Sequence, residues 1–295
     1  MPTPISPSFQ PLHGVRVLSL SLNLPGPAAL MRCRAMGATC LKLEPPTGDP
    51  MGHYNPAAYA ALHEGVTVQA ADLKTDAGQQ QLHAALAASD VLLTSFRPSA
   101  LRKLGLGRDA LQARHPALSQ VAIVGAPGAR AEEPGHDLTY LAESGLVTGT
   151  TLPPTLYADM GGALLASEAV LQAALHARCG GAEGVYLEVA LNGAAEWLAL
   201  PRAWGLTQPS GAVGGAHAGY AVYPCADGRV AVAALEPHFA ARLCEEAGIR
   251  SRDMLAGATH NGIAAWFRSR TRAELDALAV DRDIPMFTLA PACEA

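Results

Sequence analysis

The run Val15-Arg16-Val17-Leu18-Ser19-Leu20, followed by Pro25-Gly26-Pro27 and then by Gly37-Ala38-Thr39-Cys40-Leu41-Lys42-Leu43, decides the fold. The first segment is short, apolar and bounded by turn residues, and reads as a buried strand. Pro27 suits the first turn of a helix, where its missing N–H costs nothing and its φ is already set. That helix runs to about Met36, Gly37 stops it, and residues 39–43 form a second strand. Further out, Thr75 or Asp76 caps a helix through about Ala88, Val91-Leu92-Leu93 follows as a third strand, and residues 118–124 make a fourth. Strands separated by amphipathic helices form βαβ units, so the expected fold is α/β with a Rossmann-like parallel sheet.

The middle of the chain is more helical. Asp159 precedes the Ala/Leu-rich residues 160–177 and is placed to act as their N-cap. Residues 185–189 suit a strand and residues 193–204 another helix. The Gly- and Pro-rich residues 208–219 read as a linker, after which residues 220–224 and 230–234 flank the hairpin turn Ala226-Asp227-Gly228. Two or three helices finish the chain, and no internal repeat occurs. The expected division is a large α/β domain over residues 1–207, a linker over 208–219 and a smaller α+β domain over 220–295.

Composition narrows the function. Hydrophobic residues make up 49% of 295 and charged residues 16%, enough to bury a substantial core. A net charge of -5 and the lack of a Lys/Arg run argue against a nucleic-acid partner. Neither GxGxxG after a strand nor GxxxxGK[ST] is present, so the common dinucleotide and nucleoside triphosphate cradles are not supported. Cys33, Cys40, Cys179, Cys225, Cys244 and Cys293 are scattered without metal-ligand spacing. They read as buried or partly buried thiols in a reducing compartment, and no metal is expected. The start of the chain lacks the pattern of a signal peptide, and no apolar run reaches the ~18 residues of a membrane span. The expected location is the cytoplasm.

Several motifs then follow in a fixed order. Leu12-His13-Gly14-Val15-Arg16-Val17-Leu18, Pro25-Gly26-Pro27 and Gly37-Ala38-Thr39-Cys40-Leu41-Lys42-Leu43-Glu44-Pro45-Pro46 resemble the opening of a class III CoA-transferase. Ala71-Asp72-Leu73-Lys74 resembles that family's LDLK segment. Ser95-Phe96-Arg97-Pro98, with Leu104-Gly105-Leu106-Gly107 behind it, resembles its next signature. Gly135-His136-Asp137-Leu138-Thr139-Tyr140, followed by Ser144-Gly145, is similar to the GHDxxY…SG stretch of α-methylacyl-CoA racemases, and Ala158-Asp159-Met160-Gly161-Gly162 to their ADFGG or GDFGG loop. Ala234-Leu235-Glu236-Pro237-His238-Phe239 resembles the segment that opens a small-domain helix. The resemblance covers nearly the whole chain and is closest to the racemases of the superfamily.

The resemblance implies a soluble enzyme of acyl-CoA thioesters, homodimeric, with coenzyme A as part of the substrate and no permanently bound cofactor. A racemase needs one base on each face of the acidified α-carbon, and a His with a carboxylate suits that work near neutral pH. His136 and Asp159 would be this pair and Glu236 would orient the imidazole, from either subunit of the interlocked dimer that relatives form. Backbone N–H groups near Asp159 would stabilise the enolate oxygen. Lys74 and Arg97 would contact the CoA phosphates or their loop, Lys42 and Lys103 would belong to the same CoA site, and the backbone of Ala71, Asp72, Leu73 and Lys74 would lie beside the adenine. Ser95, Phe96, Gly135, Asp137 and Tyr140 would complete the CoA site. His13, His63, His217, His238 and His260 are left as structural or exposed.

A physical tension attaches to Asp159: a helix N-terminus depresses a carboxyl pKa, whereas a proton donor needs it raised. An ionised Asp159 suits CoA transfer, in which the aspartate attacks the acyl-CoA carbonyl and carries first the acyl group and then CoA. His136 stands where such transferases often have an aromatic residue, which favours the racemase reading. A non-catalytic acyl-CoA-binding or protein-binding member is the third reading. Pro45 and Val66 occupy places where relatives carry basic residues, and each lost charge-assisted contact is worth about 1.5–3 kcal/mol. The stretch from His136 to Asp159 is shortened, and the segment by which relatives return to the large domain has no counterpart after Ile284-Pro285.

Overall fold

The structure, a computed structural model, describes residues 9–292; Cys293 lies outside them. Two compact units divide between Ala199 and Leu200. The first contains β1 (Arg16–Ser19), α1 (Pro25–Ala35), β2 (Thr39–Glu44), α2 (Pro50–Tyr54), α3 (Pro56–Leu62), β3 (Thr67–Ala70), α4 (Asp76–Ala87) and β4 (Val91–Thr94). It continues with α5 (Pro98–Lys103), α6 (Arg108–Arg114), β5 (Ser119–Val124), α7 (Asp137–Glu143), α8 (Tyr157–Arg178), β6 (Tyr186–Ala190) and most of α9 (Leu191–Ala203).

The six strands form one parallel sheet in the order β3-β2-β1-β4-β5-β6. The chain begins in the middle, builds outward to β3, then crosses to β4 and builds the other way. That reversal opens a crevice beyond the carboxyl ends of β1 and β4, where open α/β sheets receive ligands. Every residue of β4 and β5 is buried, as a parallel sheet covered on both faces requires. One face packs under α1 and α8, where small residues (Ala28, Ala29, Ala163, Ala166) let the helices approach, and the Arg32 Nε–H donates to Ser167 Oγ at 3.0 Å. Leu82 and Leu86 of α4, Leu101 of α5, Leu106 of the turn that follows it and Leu111 of α6 cover Leu18, Leu20 and Leu92 on the other face.

Several boundaries depart from the sequence reading. The strand β3 gives no signal because it is an edge strand exposed along its whole length, so no buried face imposes an apolar pattern on it. The helix α8 begins at Tyr157, with Leu156 in the N-cap position, so Asp159 is its third residue and not its cap. The Met160 N–H closes the first turn on the Leu156 carbonyl, while the Asp159 N–H turns to another side chain.

The second unit holds β7 (Tyr220–Cys225), β8 (Gly228–Ala233), α10 (Pro237–Glu246), α11 (Gly257–Arg268), α12 (Arg272–Asp281) and β9 (Met286–Leu289). The hairpin falls at Ala226 and Asp227, and Asp227 Oδ1 accepts from the Arg272 N–H at 2.7 Å. The strand β9, for which the sequence reading has no counterpart, completes the antiparallel sheet β7-β8-β9. The residues read as a linker include a short 3-10 turn, Ala212–Gly214, and end in the core at fully buried Ala218. Cys33, Cys40, Cys225 and Cys244 are buried, but Cys179 is exposed, against the expectation of buried or partly buried thiols. Among the described residues no helix is long and apolar enough to cross a membrane.

Phe267, fully buried and stacked on Tyr223 at 5.3 Å, anchors this second core, whereas Phe287 is 71% exposed. Phe267→Ala should therefore destabilise the unit by about 3–5 kcal/mol, and Phe287→Ala by no more than about 0.5 kcal/mol, in urea denaturation followed by circular dichroism.

Candidate active site

The crevice at the strand reversal is a cavity of about 800 Å³. Its walls come from the segments after β1 (Leu22, Asn23), β4 (Ser95, Phe96, Arg97) and β5 (Gly125), together with α2, α7 and the start of α8. Gly135, His136, Asp137, Tyr140 and Asp159 all line it, so the two motifs that the sequence keeps 22 residues apart meet here.

The helix α7 opens on a local device. Thr139 Oγ1 accepts from the His136 N–H at 3.1 Å and donates to the His136 carbonyl at 2.8 Å, which fixes the peptide and leaves the residue exposed at the cavity. Asp137 is 5% exposed, and its Oδ1 accepts from the Asp159 N–H at 3.0 Å. That bond joins the N-termini of α7 and α8 and explains why the Asp159 amide is not free to meet a ligand oxygen. The Tyr140 ring fills the space beside Gly125 and Gly135, where a Cβ on either glycine would strike it. Burial raises the Tyr140 phenol above its ordinary range, and the Asp159 charge adds to this.

Asp159 is half-buried, and its carboxyl is pushed up to about 6, first by burial, then by the neighbouring Asp137 charge, with His136 acting in the opposite sense. Position in the first turn of a 22-residue helix favours the ionised form, yet desolvation and the like charge outweigh it. A carboxyl that titrates near 6 holds both protonation states close to neutral pH, as a proton donor and acceptor must.

The opposite wall rests on a buried cluster that the sequence alone does not reveal. Lys42, expected in the CoA site, is 0% exposed and cannot touch a bound CoA. Its Nζ donates to Asp49 Oδ2 at 2.6 Å and pairs with Glu44 Oε1 at 2.9 Å and His63 Nε2 at 2.8 Å. His63 Nδ1 donates to the Tyr59 carbonyl at 2.7 Å, which leaves Nε2 as the acceptor for the ammonium. Asp49 also accepts from the Asn23 N–H at 3.1 Å and from the Met51 N–H at 2.9 Å, and Tyr59 donates to Glu44 at 2.9 Å. The clue present in the sequence is the order Lys42, Glu44, Asp49 around a turn; the buried His63 cannot be paired with them without the fold.

A second cavity, of about 230 Å³, gathers Ala71, Asp72, Leu73 and Lys74 with Pro45, Leu104 and Phe96, and Phe96 lines both cavities. Lys74 and Arg97 are exposed at their respective cavities. Lys103, exposed at the end of α5, lines neither. A third cavity, of about 560 Å³, lies over β5 and β6 beside Gln120, Tyr186 and Glu188, residues to which the sequence reading gives no role. Glu236 is exposed in the N-cap position of α10, in the second unit.

The raised Asp159 carboxyl has a stability cost with a definite sign. It is ionised in both folded and unfolded chains above about 6, where the burial penalty is present in full, and protonated in both below its ordinary value of 3.8, where the penalty vanishes. Asp159→Asn should raise stability at pH 8 by about 1–2 kcal/mol after allowance for partial exposure and leave it nearly unchanged at pH 3.5. Paired urea titrations at the two pH values measure the difference.

Known proteins share both the sequence motifs and this architecture. A family model described as CoA-transferase family III matches residues 12–295. A probable fatty acyl-CoA transferase of Mycobacterium tuberculosis is 32% identical over 195 residues, 59% of this chain and 48% of that protein. An α-methylacyl-CoA racemase of Mus musculus is 30% identical over 262 residues, 82% of this chain and 66% of that protein. The chain thus spans about half to two thirds of the length of these curated relatives. A crystal structure of a hypothetical protein from Mycobacterium tuberculosis superposes with a TM-score of 0.82 at 26% identity, covering 97% of this chain and 86% of that one. With a six-stranded parallel sheet, GHDLTY and ADMGG brought to one cavity, and a match over nearly its full length, the chain belongs to CoA-transferase family III.

Proposed function

We propose that the protein is an acyl-CoA enzyme that exchanges the α-proton of a 2-methylacyl-CoA thioester, with His136 and Asp159 as the two bases. The observation that carries this reading is that the half-buried Asp159 carboxyl and the exposed His136 line the same cavity, with burial and the Asp137 charge raising the carboxyl above its ordinary range. One of the pair takes the α-proton, the electron pair passes to the thioester oxygen as an enolate, and the other returns a proton to the opposite face. The thioester carbon keeps its oxygen and sulfur throughout. Because the Asp159 amide is bonded to Asp137, it does not serve the enolate oxygen. The Ala71 to Lys74 cleft would take the nucleotide and Arg97 a phosphate, with Phe96 between nucleotide and acyl group.

The relative named as a probable fatty acyl-CoA transferase supports a second reading, CoA transfer to a carboxylic acid. Asp159 would attack the acyl carbonyl and expel CoA thiolate, giving a mixed anhydride. The thiolate would then attack the Asp159 carbonyl, releasing the donor carboxylate and leaving CoA on Asp159. The acceptor carboxylate would displace that thiolate to form a second anhydride, whose acyl carbon the thiolate attacks to give the new acyl-CoA and free Asp159. Above about pH 6 its carboxylate is ionised, as a nucleophile requires.

In D2O, the wild type should place deuterium at the α-carbon of 2-methylacyl-CoA esters, followed by NMR, and His136→Ala and Asp159→Ala should each lose at least about a hundredfold in rate. Exchange absent on every ester, with CoA transfer to added carboxylates present, selects the second reading; tight CoA binding with neither reaction makes the protein a binder. The pH profile of kcat/KM provides a sharper test. An inflection near 6 from Asp159 should move to lower pH in Asp137→Asn, which removes a like charge while keeping an oxygen for the Asp159 N–H.

A further inference from the structure

Asn23 stands at the large cavity with its backbone fixed and its side chain uncommitted. It follows β1 at the carboxyl end, where the sheet reverses, and lines the same cavity as His136 and Asp159. The residue is exposed, yet its N–H is held by both oxygens of buried Asp49, at 3.1 Å each. Asp49 is itself fixed by the Lys42 ammonium at 2.6 Å. The φ of 63° lies in the left-handed region, which asparagine and glycine accept more readily than other residues. Among the described residues, Asn23 forms hydrogen bonds through its backbone alone. Backbone donors around it are already spent. The Leu22 N–H goes to Ser95 Oγ at 3.3 Å, the His136 N–H to Thr139 Oγ1 and the Asp159 N–H to Asp137. The Tyr140 hydroxyl lies against Gly125 and Gly135. A thioester oxygen lodged here therefore needs side-chain donors, and a carboxamide N–H remains a donor at every working pH.

We propose that Asn23 is a further catalytic residue, whose Nδ2–H donates to the thioester carbonyl oxygen and stabilises the negative charge that gathers there. This rests on the reading that an acyl thioester occupies the large cavity, and it holds for either chemistry. When the α-proton leaves, its electron pair moves into the carbonyl and charges that oxygen. When Asp159 attacks the carbonyl, the same oxygen carries the charge of the tetrahedral intermediate and gives it up as the CoA thiolate departs. In both cases the hydrogen bond strengthens as the charge develops, which is the condition for lowering a barrier. The buried bonds of Asp49 and Lys42 then have a function at the cavity: they hold one exposed donor in place.

Glycine separates the carboxamide from the backbone that carries it. Asn23→Gly accepts the same φ, so a merely conformational role predicts wild-type rates. Loss of an oxyanion donor predicts instead a kcat lower by about a hundredfold, with Tm and CoA affinity near wild-type values. Asn23→Asp also tolerates the conformation but sets an anion against the oxyanion, and should lose at least as much. A readout free of turnover is the enolate absorbance of bound 2-methylacetoacetyl-CoA, a β-ketoacyl thioester acidic enough for its enolate to be seen. The band should be present in the wild type and lost in Asn23→Gly at equal occupancy. Undiminished kcat and enolate band in Asn23→Gly, in an enzyme that His136→Ala inactivates, overturn the role of Asn23 and leave the proposed reaction standing. A wild type that forms the Asn23-dependent enolate but neither exchanges nor transfers overturns the reaction and sustains Asn23. A wild type that binds no acyl-CoA overturns both.

Discussion

A single buried ammonium underlies one whole wall of the large cavity. Lys42 has no contact with solvent, and its three N–H bonds meet three acceptors, Asp49, Glu44 and His63. A charge removed from water costs several kcal/mol unless its geometry and hydrogen bonds are complete, and here each donor has a partner. Asp49 transmits the result: it holds the Asn23 amide after β1 and caps α2, while Glu44 holds Tyr59 of α3. Asn23 sits at φ 63°, a left-handed conformation that an asparagine tolerates better than most residues. The loop keeps that shape because a carboxylate inside the protein receives its N–H.

The facing wall uses carboxylates differently. Asp137 is buried and spends its oxygen on a backbone amide, which docks one helix N-terminus against another. The Asp159 side chain, in the first turn of α8, is left half-buried at the cavity beside the Asp137 charge. Neighbouring residues of the same type thus diverge: one becomes architecture, and the other is held where protonated and ionised forms interconvert near neutral pH. The wall built on Lys42 fixes the shape of the cavity, and the wall built on Asp137 sets the charge environment of Asp159.

Much of this is legible in the amino-acid sequence alone. Strands buried on both faces, such as Val91 to Thr94, announce themselves by continuous apolar runs, and Thr75 does cap α4 by accepting from the Gly78 N–H. The motifs around His136 and Asp159 likewise point to one site, because short ordered signatures carry spatial information that periodicity lacks. What stays hidden depends on tertiary partners. The edge strand β3 has no buried face to mark it, and the Asp159 amide near the start of α8 is taken by Asp137, a bond spanning 22 residues. Lys42 misleads for a related reason: a lysine near a glycine-containing turn looks solvated until His63, 21 residues on, is found to receive it.

The sealing of Lys42 also bears on chemical wear. Acyl thioesters are acylating agents, and an accessible lysine amine attacks them without help from an enzyme, whereas a guanidinium, protonated at any physiological pH, does not. Of the chain's three lysines only Lys74 and Lys103 are exposed, so arginines supply most of the positive charge it shows to solvent. The one lysine on which the wall of the cavity depends is therefore out of reach of any acylating agent.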